Sequence, residues 1–307
     1  MFRMVICSLI VVASAASAAL GQADYLAKEA LRGAGLAKFW QFQLPLDAKQ
    51  RLAEVYLVDD QLYCATDDGY VLAVHAHTGA LRWIKKVTDA SHRIARPAHS
   101  GGRTLFLSDI VLTQVDRLTG EGIMRRELGP VISSAPVSTG GVVYFGSVDR
   151  RFYAHDLYSG FEFWKVGTNG QISSRPVIWQ GDLFVASHDG AIYSCSAANK
   201  RYRWVARTRG ANSADLAVDE NGLYVASRDH SLYQFDVGFG QIRWRARFSG
   251  PLYDPPVLTP ELAYQYSRDD GLAAIETGTI DVKERFRWKI ADGLSLLTVD
   301  ETYAYVL

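Results

Sequence analysis

The sequence has no surplus of charge of either sign: 33 basic and 33 acidic side chains cancel. No global field therefore steers the chain toward nucleic acid or an anionic membrane. Cysteine is scarce, with three in 307 residues. That excludes the disulfide framework of a small secreted scaffold. Three further absences bear on chemistry. The chain contains no Gly-x-Ser-x-Gly elbow, no His-Glu-x-x-His helix and no phosphate-binding loop.

What is present begins with an export signal. Arg3 supplies a positive charge ahead of the apolar run "MVICSLIVVASAA", which is too short for a spanning helix. Small residues follow, and "ALGQA" offers cleavage after Ala23, so residues 1–23 read as a signal peptide. The mature chain is then expected in the periplasm or outside the cell, as a monomer with no stable membrane insertion. Residues 24–38 predict a short helical lead-in, capped by Asp24, with Leu26, Leu31 and either Ala34 or Leu36 along one stripe.

From residue 39 onward the sequence repeats. Trp83, Trp164, Trp204, Trp244 and Trp288 recur at a period of about forty residues, and Met124 fills the one gap. An aspartate stands 15 residues before most of them: Asp68, Asp149, Asp189 and Asp229, with Asp109 ahead of Met124. Between aspartate and tryptophan, Val71, Leu112, Phe152, Ile192 and Leu232 form one apolar column. Val74, Val115, His155, Cys195 and Phe235 form a second. A polar column follows at once, with Asp116, Asp156 and Asp236, and then a glycine column of Gly79, Gly120, Gly160 and Gly240, broken by Lys200. Glycine at that place predicts a turn with positive φ. Each unit therefore reads as strand, turn at the aspartate, strand, glycine turn, and a strand reaching the tryptophan. A further strand such as "RPVIWQ" or "PPVLTP" precedes these three.

A four-stranded unit cannot bury both faces alone, and radial stacking with ring closure does so without open edges. An all-β propeller of four-stranded blades follows, with about seven blades, or eight in a longer chain. Six repeats are complete, and "LSLLTVDETYAYVL" starts another. "KFWQFQLPL", around Trp40, predicts a last strand that completes that blade from the other end of the chain. One strand is still unaccounted for, so a longer chain is the expectation.

The segments "DDGYVLAVHAHTGALRW" and "VDRRFYAHDLYSGFEFW" resemble the PQQ-like repeat of the quinoprotein alcohol dehydrogenase-like propellers, and the resemblance covers about residues 40–307. It implies that Trp40, Trp83, Trp164, Trp204, Trp244 and Trp288 pack between blades. It does not bring the chemistry with it. Quinone-dependent members of that family use an adjacent cysteine pair and a calcium ion. Here no two cysteines are adjacent, and Cys64 and Cys195 fall in different repeats. The resemblance thus points to the non-catalytic branch, which includes the propeller lipoprotein of the outer-membrane barrel assembly machinery. The expected function is an exported scaffold binding an envelope or extracellular protein, with no catalytic residues, no metal and no cofactor. A PQQ- and calcium-dependent oxidoreductase and a carbohydrate-binding propeller are the alternatives.

Because strands alternate in direction, the turn at each aspartate and the loop entering each repeat emerge on one face. That face is expected to carry His92, Arg93, Arg96, Arg150, Arg175, His188, Arg228, His230, Tyr253 and Asp254 as its binding rim. The repeated aspartates themselves read as turn formers. His188 and His230 have no third ligand at a metal-like spacing.

Overall fold

The computed structural model describes residues 32, 38–89, 92–199, 201–278, 286–299 and 304–306. The signal peptide expected over 1–23 and nearly all of the lead-in expected over 24–38 lie outside the described residues.

Six antiparallel sheets of four strands follow one another along the chain as blades. Blade 1 holds β1 to β4 (Leu52–Val58, Gln61–Thr66, Tyr70–His75, Leu81–Lys86) and blade 2 holds β5 to β8 (Ala98–Ser100, Arg103–Ser108, Val111–Asp116, Gly122–Glu127). Blade 3 holds β9 to β12 (Val137–Thr139, Val142–Gly146, Arg151–Asp156, Glu162–Gly167), and blade 4 holds β13 to β16 (Val177–Trp179, Asp182–Ala186, Ala191–Ser196, Tyr202–Arg207). Blade 5 holds β17 to β20 (Ala217–Asp219, Gly222–Ser227, Ser231–Phe235, Ile242–Arg247), and blade 6 holds β21 to β24 (Val257–Leu258, Leu262–Ser267, Gly271–Glu276, Phe286–Ile290). A two-stranded sheet, β25 (Leu296–Val299) with β26 (Ala304–Val306), comes last. The first strands of neighbouring blades approach each other, β5 to β9, β13 to β17 and β17 to β21, so they line the axis. The fold is a β-propeller.

The apolar columns explain the burial. The second and third strands of the blades are largely buried, because consecutive sheets pack face to face. In β2 every residue from Gln61 to Thr66 is buried. The core is accordingly a series of clusters that bridge neighbouring blades. One joins Tyr63, Val71 and Trp83 to Phe106 and Val115; another joins Tyr224, Leu232 and Trp244 to Ala263 and Ile275.

The turns follow from two kinds of residue. Gly79, Gly120, Gly160 and Gly240 all have φ near +70°, where a Cβ is disfavoured. The polar column just before them acts as an acceptor: Asp116 Oδ1 takes the N–H groups of Leu118 and Thr119, and Asp156 and Asp236 do the same in their own turns. Such Asx-type turns satisfy backbone donors that the ladder leaves over.

The tryptophans dock on these turns. A Cβ built on Gly120 would stand 2.6 Å from the Trp83 ring, and Trp83 Nε1 donates to Arg117 O at 3.1 Å. Trp204 meets Gly240 and donates to Val237 O at 2.9 Å. Trp40 meets Gly79 and donates to Ala76 O at 2.8 Å. Where Met124 replaces tryptophan, the side chain of Arg126 lies over Gly160.

One expectation is corrected here. Residues 38–46 form no strand. A strand needs a ladder partner, and among the described residues the last sheet has only β25 and β26, which pair with each other. Trp40 nonetheless sits on blade 1 as Trp83 sits on blade 2.

Cys64 and Cys195 are buried free thiols in β2 and β15. Burial pushes the Cys64 thiol up to about 11 and the Cys195 thiol up to about 12. The thiolate is the reactive form, so neither should react with a thiol reagent at pH 8 in the native protein. Mass spectrometry after labelling should find both modified only once denaturant is added. Labelling of either in the native state would contradict this burial.

Candidate functional site

Chain direction places the turn between second and third strands, and the loop that enters the next blade, on one face. The turn aspartates there are occupied by structure. Asp149 accepts from the Arg151 N–H at 3.1 Å and the Tyr153 hydroxyl at 2.6 Å. Asp229 accepts from Arg209 N at 2.9 Å and the Tyr233 hydroxyl at 2.6 Å. Asp189 accepts from Ala191 N at 3.1 Å.

The residue after the turn aspartate is also informative. Gly69 and Gly190 have φ of 87° and 83° there, but blades 3 and 5 place Arg150 and His230 at φ 64° and 71°. A non-glycine residue in that region carries strain of about 1 kcal/mol or more. The Nδ1 atom of His230 shares a hydrogen bond with Ser249 O at 2.9 Å.

The structure sorts the sequence-derived rim into distinct groups. His92 lies 3.5 Å from Asp109, and Arg93 pairs with Glu54 at 2.8 Å, so both face acidic partners. Asp254 contributes its carbonyl, which accepts from Gln265 Nε2 at 2.9 Å. A second group spans blades 4 to 6. His188 Nε2 shares a hydrogen bond of 2.6 Å with Ser173 Oγ, and burial with the nearby Arg228 holds its imidazole below the ordinary histidine range. Arg228 donates through Nε to Ser213 Oγ at 3.1 Å and lies 5.0 Å from the Tyr253 ring centre. Arg268 lies 5.3 Å from the same ring. Tyr253, with 42% of its surface exposed, is thus an aromatic face attended by two guanidinium groups.

A third group lies where the loops meet the channel. Arg96 Nη2 donates to Leu57 O at 2.6 Å, and Arg175 Nε reaches Pro136 O at 3.4 Å. Each arginine bends back toward the preceding blade. Asp215, at the same column of blade 5, accepts the Arg175 backbone N–H at 2.7 Å. Asp215 was not selected from the sequence, although its place just ahead of a first strand matches those of Arg96 and Arg175.

These groups can hold anions and aromatic or acidic surfaces. The Ser173–His188 pair shows no carboxylate on Nδ1 among the described residues, and so lacks the orienting partner of a nucleophile–base system. Tyr63, His99 and Asp59 form another chain, with His99 Nε2 2.7 Å from the Tyr63 hydroxyl and Nδ1 2.7 Å from Asp59. Tyr63 is fully buried, so that network braces blades 1 and 2. No group of three or more His, Cys, Asp or Glu side chains among the described residues is placed to hold a metal ion. No helix among them is long and apolar enough to cross a membrane.

The chain matches the family model described as outer membrane protein assembly factor BamB, over residues 35–121, 108–216 and 207–296. No curated protein sequence matches it. Among solved structures it is similar to the crystal structure of BamB from Moraxella catarrhalis. The TM-score is 0.65 at 17% identity, covering 85% of this chain and 83% of that one. It is also similar to the computationally designed Ika8 protein, with a TM-score of 0.65 at 12% identity over 80% of this chain and 77% of that one. At such identities the likeness is one of fold.

Proposed function

The chain belongs to the outer membrane protein assembly factor BamB family, and from that membership we propose that it is an exported, non-catalytic scaffold holding a protein partner in the cell envelope. The observation that carries the reading is the Arg228–Tyr253–Arg268 stack on the loop face. Arginine and tyrosine are the side chains that most often anchor protein interfaces, because each offers a large, rigid contact with polar ends. The two guanidinium groups favour an acidic partner surface. Arg150 and His230 support the same face, since glycine would relieve their backbone strain and yet is not used.

A quinone cofactor is a poor match for the residues present. Cys64 and Cys195 are buried in separate blades, and no acidic cluster among the described residues suits calcium. We therefore assign no quinone chemistry to the chain.

Crosslinking in the envelope, followed by identification of the joined protein, tests the proposal. Replacing Arg228 and Arg268 with glutamate, or Tyr253 with alanine, should lower recovery of one envelope protein about tenfold or more. Replacing Phe239, exposed in the glycine turn on the opposite face, should leave it unchanged. His230→Gly relieves the positive-φ strain but loses the bond to Ser249 O, so these terms oppose and stability should change by about 1 kcal/mol or less. With folding confirmed by its urea midpoint, this variant should still weaken recovery. Equal recovery from all these variants would remove the loop face from the proposal.

A further inference from the structure

The first strands β9, β13, β17 and β21 surround a cavity of about 550 Å³ on the axis, a size that suits a small ligand or a few peptide residues. Its wall is largely apolar, with Val137, Val177, Ile178, Leu216 and Leu258. Arg175 is the one charged side chain on it among the described residues.

A guanidinium has five N–H donors. The Nε of Arg175 makes a long bond to Pro136 O, and among the described residues no carboxylate forms a salt bridge with the side chain. The carboxylate of Asp215 is turned to the Arg175 backbone instead. Burial, and then the charge of Arg96, oppose the guanidinium charge of Arg175, while Asp215 favours it. A half-buried cation beside a like charge is unfavourable without an anion to meet it. The blades do not require either arginine, because the same column holds Ala135 in blade 3 and Pro255 in blade 6. Arg93 and Glu54 lie close by on the loop face, but they neutralise each other.

We propose that the channel mouth is a carboxylate-binding site, in which the planar fork of Arg175 takes one carboxylate and Arg96 supplies a second cation. Arginine suits this role because its parallel N–H bonds match both carboxylate oxygens. The carboxylate belongs either to a free polycarboxylate or to an acidic side chain of a peptide entering the mouth. The site is independent of the Tyr253 surface.

Calorimetry and amide chemical shifts on the full chain, with citrate and with a hexaglutamate peptide as probes, test this. At least one probe should bind saturably and shift the amides of Val177, Ile178 and Val218. Arg175→Ala should weaken that binding about tenfold or more, and Arg96→Ala about threefold. Asp215→Asn keeps an acceptor for the Arg175 N–H but removes the opposing charge, so it should tighten binding by about two- to fivefold. No misfolded variant would give that gain. Binding of citrate alone assigns a small polycarboxylate, and binding of the peptide alone assigns an acidic polypeptide. Binding of both supports the carboxylate chemistry itself. Tyr253→Ala should leave every one of these values unchanged, which separates this site from the partner surface. The proposal fails if neither probe binds at millimolar concentration, or if binding is indifferent to Arg175→Ala and Asp215→Asn.

Discussion

Trp83→Ala is expected to lower the unfolding free energy by about 3–5 kcal/mol, the range for emptying a buried aromatic site. Trp83 is only 6% exposed. Its ring centre lies 5.9 Å from that of Tyr63 in its own blade and 6.4 Å from that of Phe106 in the next. Truncation therefore opens a cavity on both sides of a blade junction. It also removes the indole donor from the Arg117 carbonyl, which keeps the Gln61 Nε2 donor at 3.1 Å, so the lost hydrogen bond adds only about 1 kcal/mol to the packing loss. Trp83→Phe keeps most of the volume and removes only the donor, so it should lose about 1–2 kcal/mol. Midpoints of urea unfolding, read with unchanged slopes, measure both values. Equal losses from alanine and phenylalanine would mean that the hydrogen bond, and not the packing, holds this junction.

Gly120→Ala should cost about 2–4 kcal/mol from the other side of the same contact. The φ of 72° penalises any Cβ. The new methyl would also stand 2.6 Å from Trp83 Cγ, well inside van der Waals contact. Gly101→Ala separates the two terms, because Gly101 has a φ of 57° with nothing within 4 Å of an added Cβ. It should lose only about 1 kcal/mol. The double replacement of Trp83 and Gly120 by alanine should lose less than the sum of the singles, since removing the indole also removes the clash. Strict additivity in that cycle would show that ring and turn do not touch in solution.

Much of this was legible in the sequence because it repeats. A column that is apolar in five units must face a core, and a glycine recurring ahead of a tryptophan must mark a turn. Gly79, Gly120, Gly160 and Gly240 illustrate the second inference, since their φ values agree within a few degrees. The segment around Trp40 shows the limit. Its composition suits a strand, but a strand exists only where a neighbour offers a ladder, and composition does not say whether one is in reach. The aspartates of the polar column show another limit. They were visible as polar, but their role as acceptors for the following N–H groups depends on turn geometry.

The site was less legible for the same reason. Repetition reveals what all blades share, whereas a binding surface depends on what particular blades do not share. Chain direction alone assigned His188, Arg228 and Tyr253 to one face. It could not tell that Arg93 would be neutralised by Glu54, that Arg228 and Arg268 would flank one tyrosine, or that Asp215 would turn its carboxylate away from the Arg175 side chain. The sequence by itself determined the blade, its turns and the face on which each loop emerges, because these rest on local alternation and on a Cβ penalty within a few residues. Only the tertiary structure decided which charges meet and which remain unpaired. Those contacts join residues about fifteen to forty positions apart, and their energies depend on distances and burial that exist only once the blades have packed.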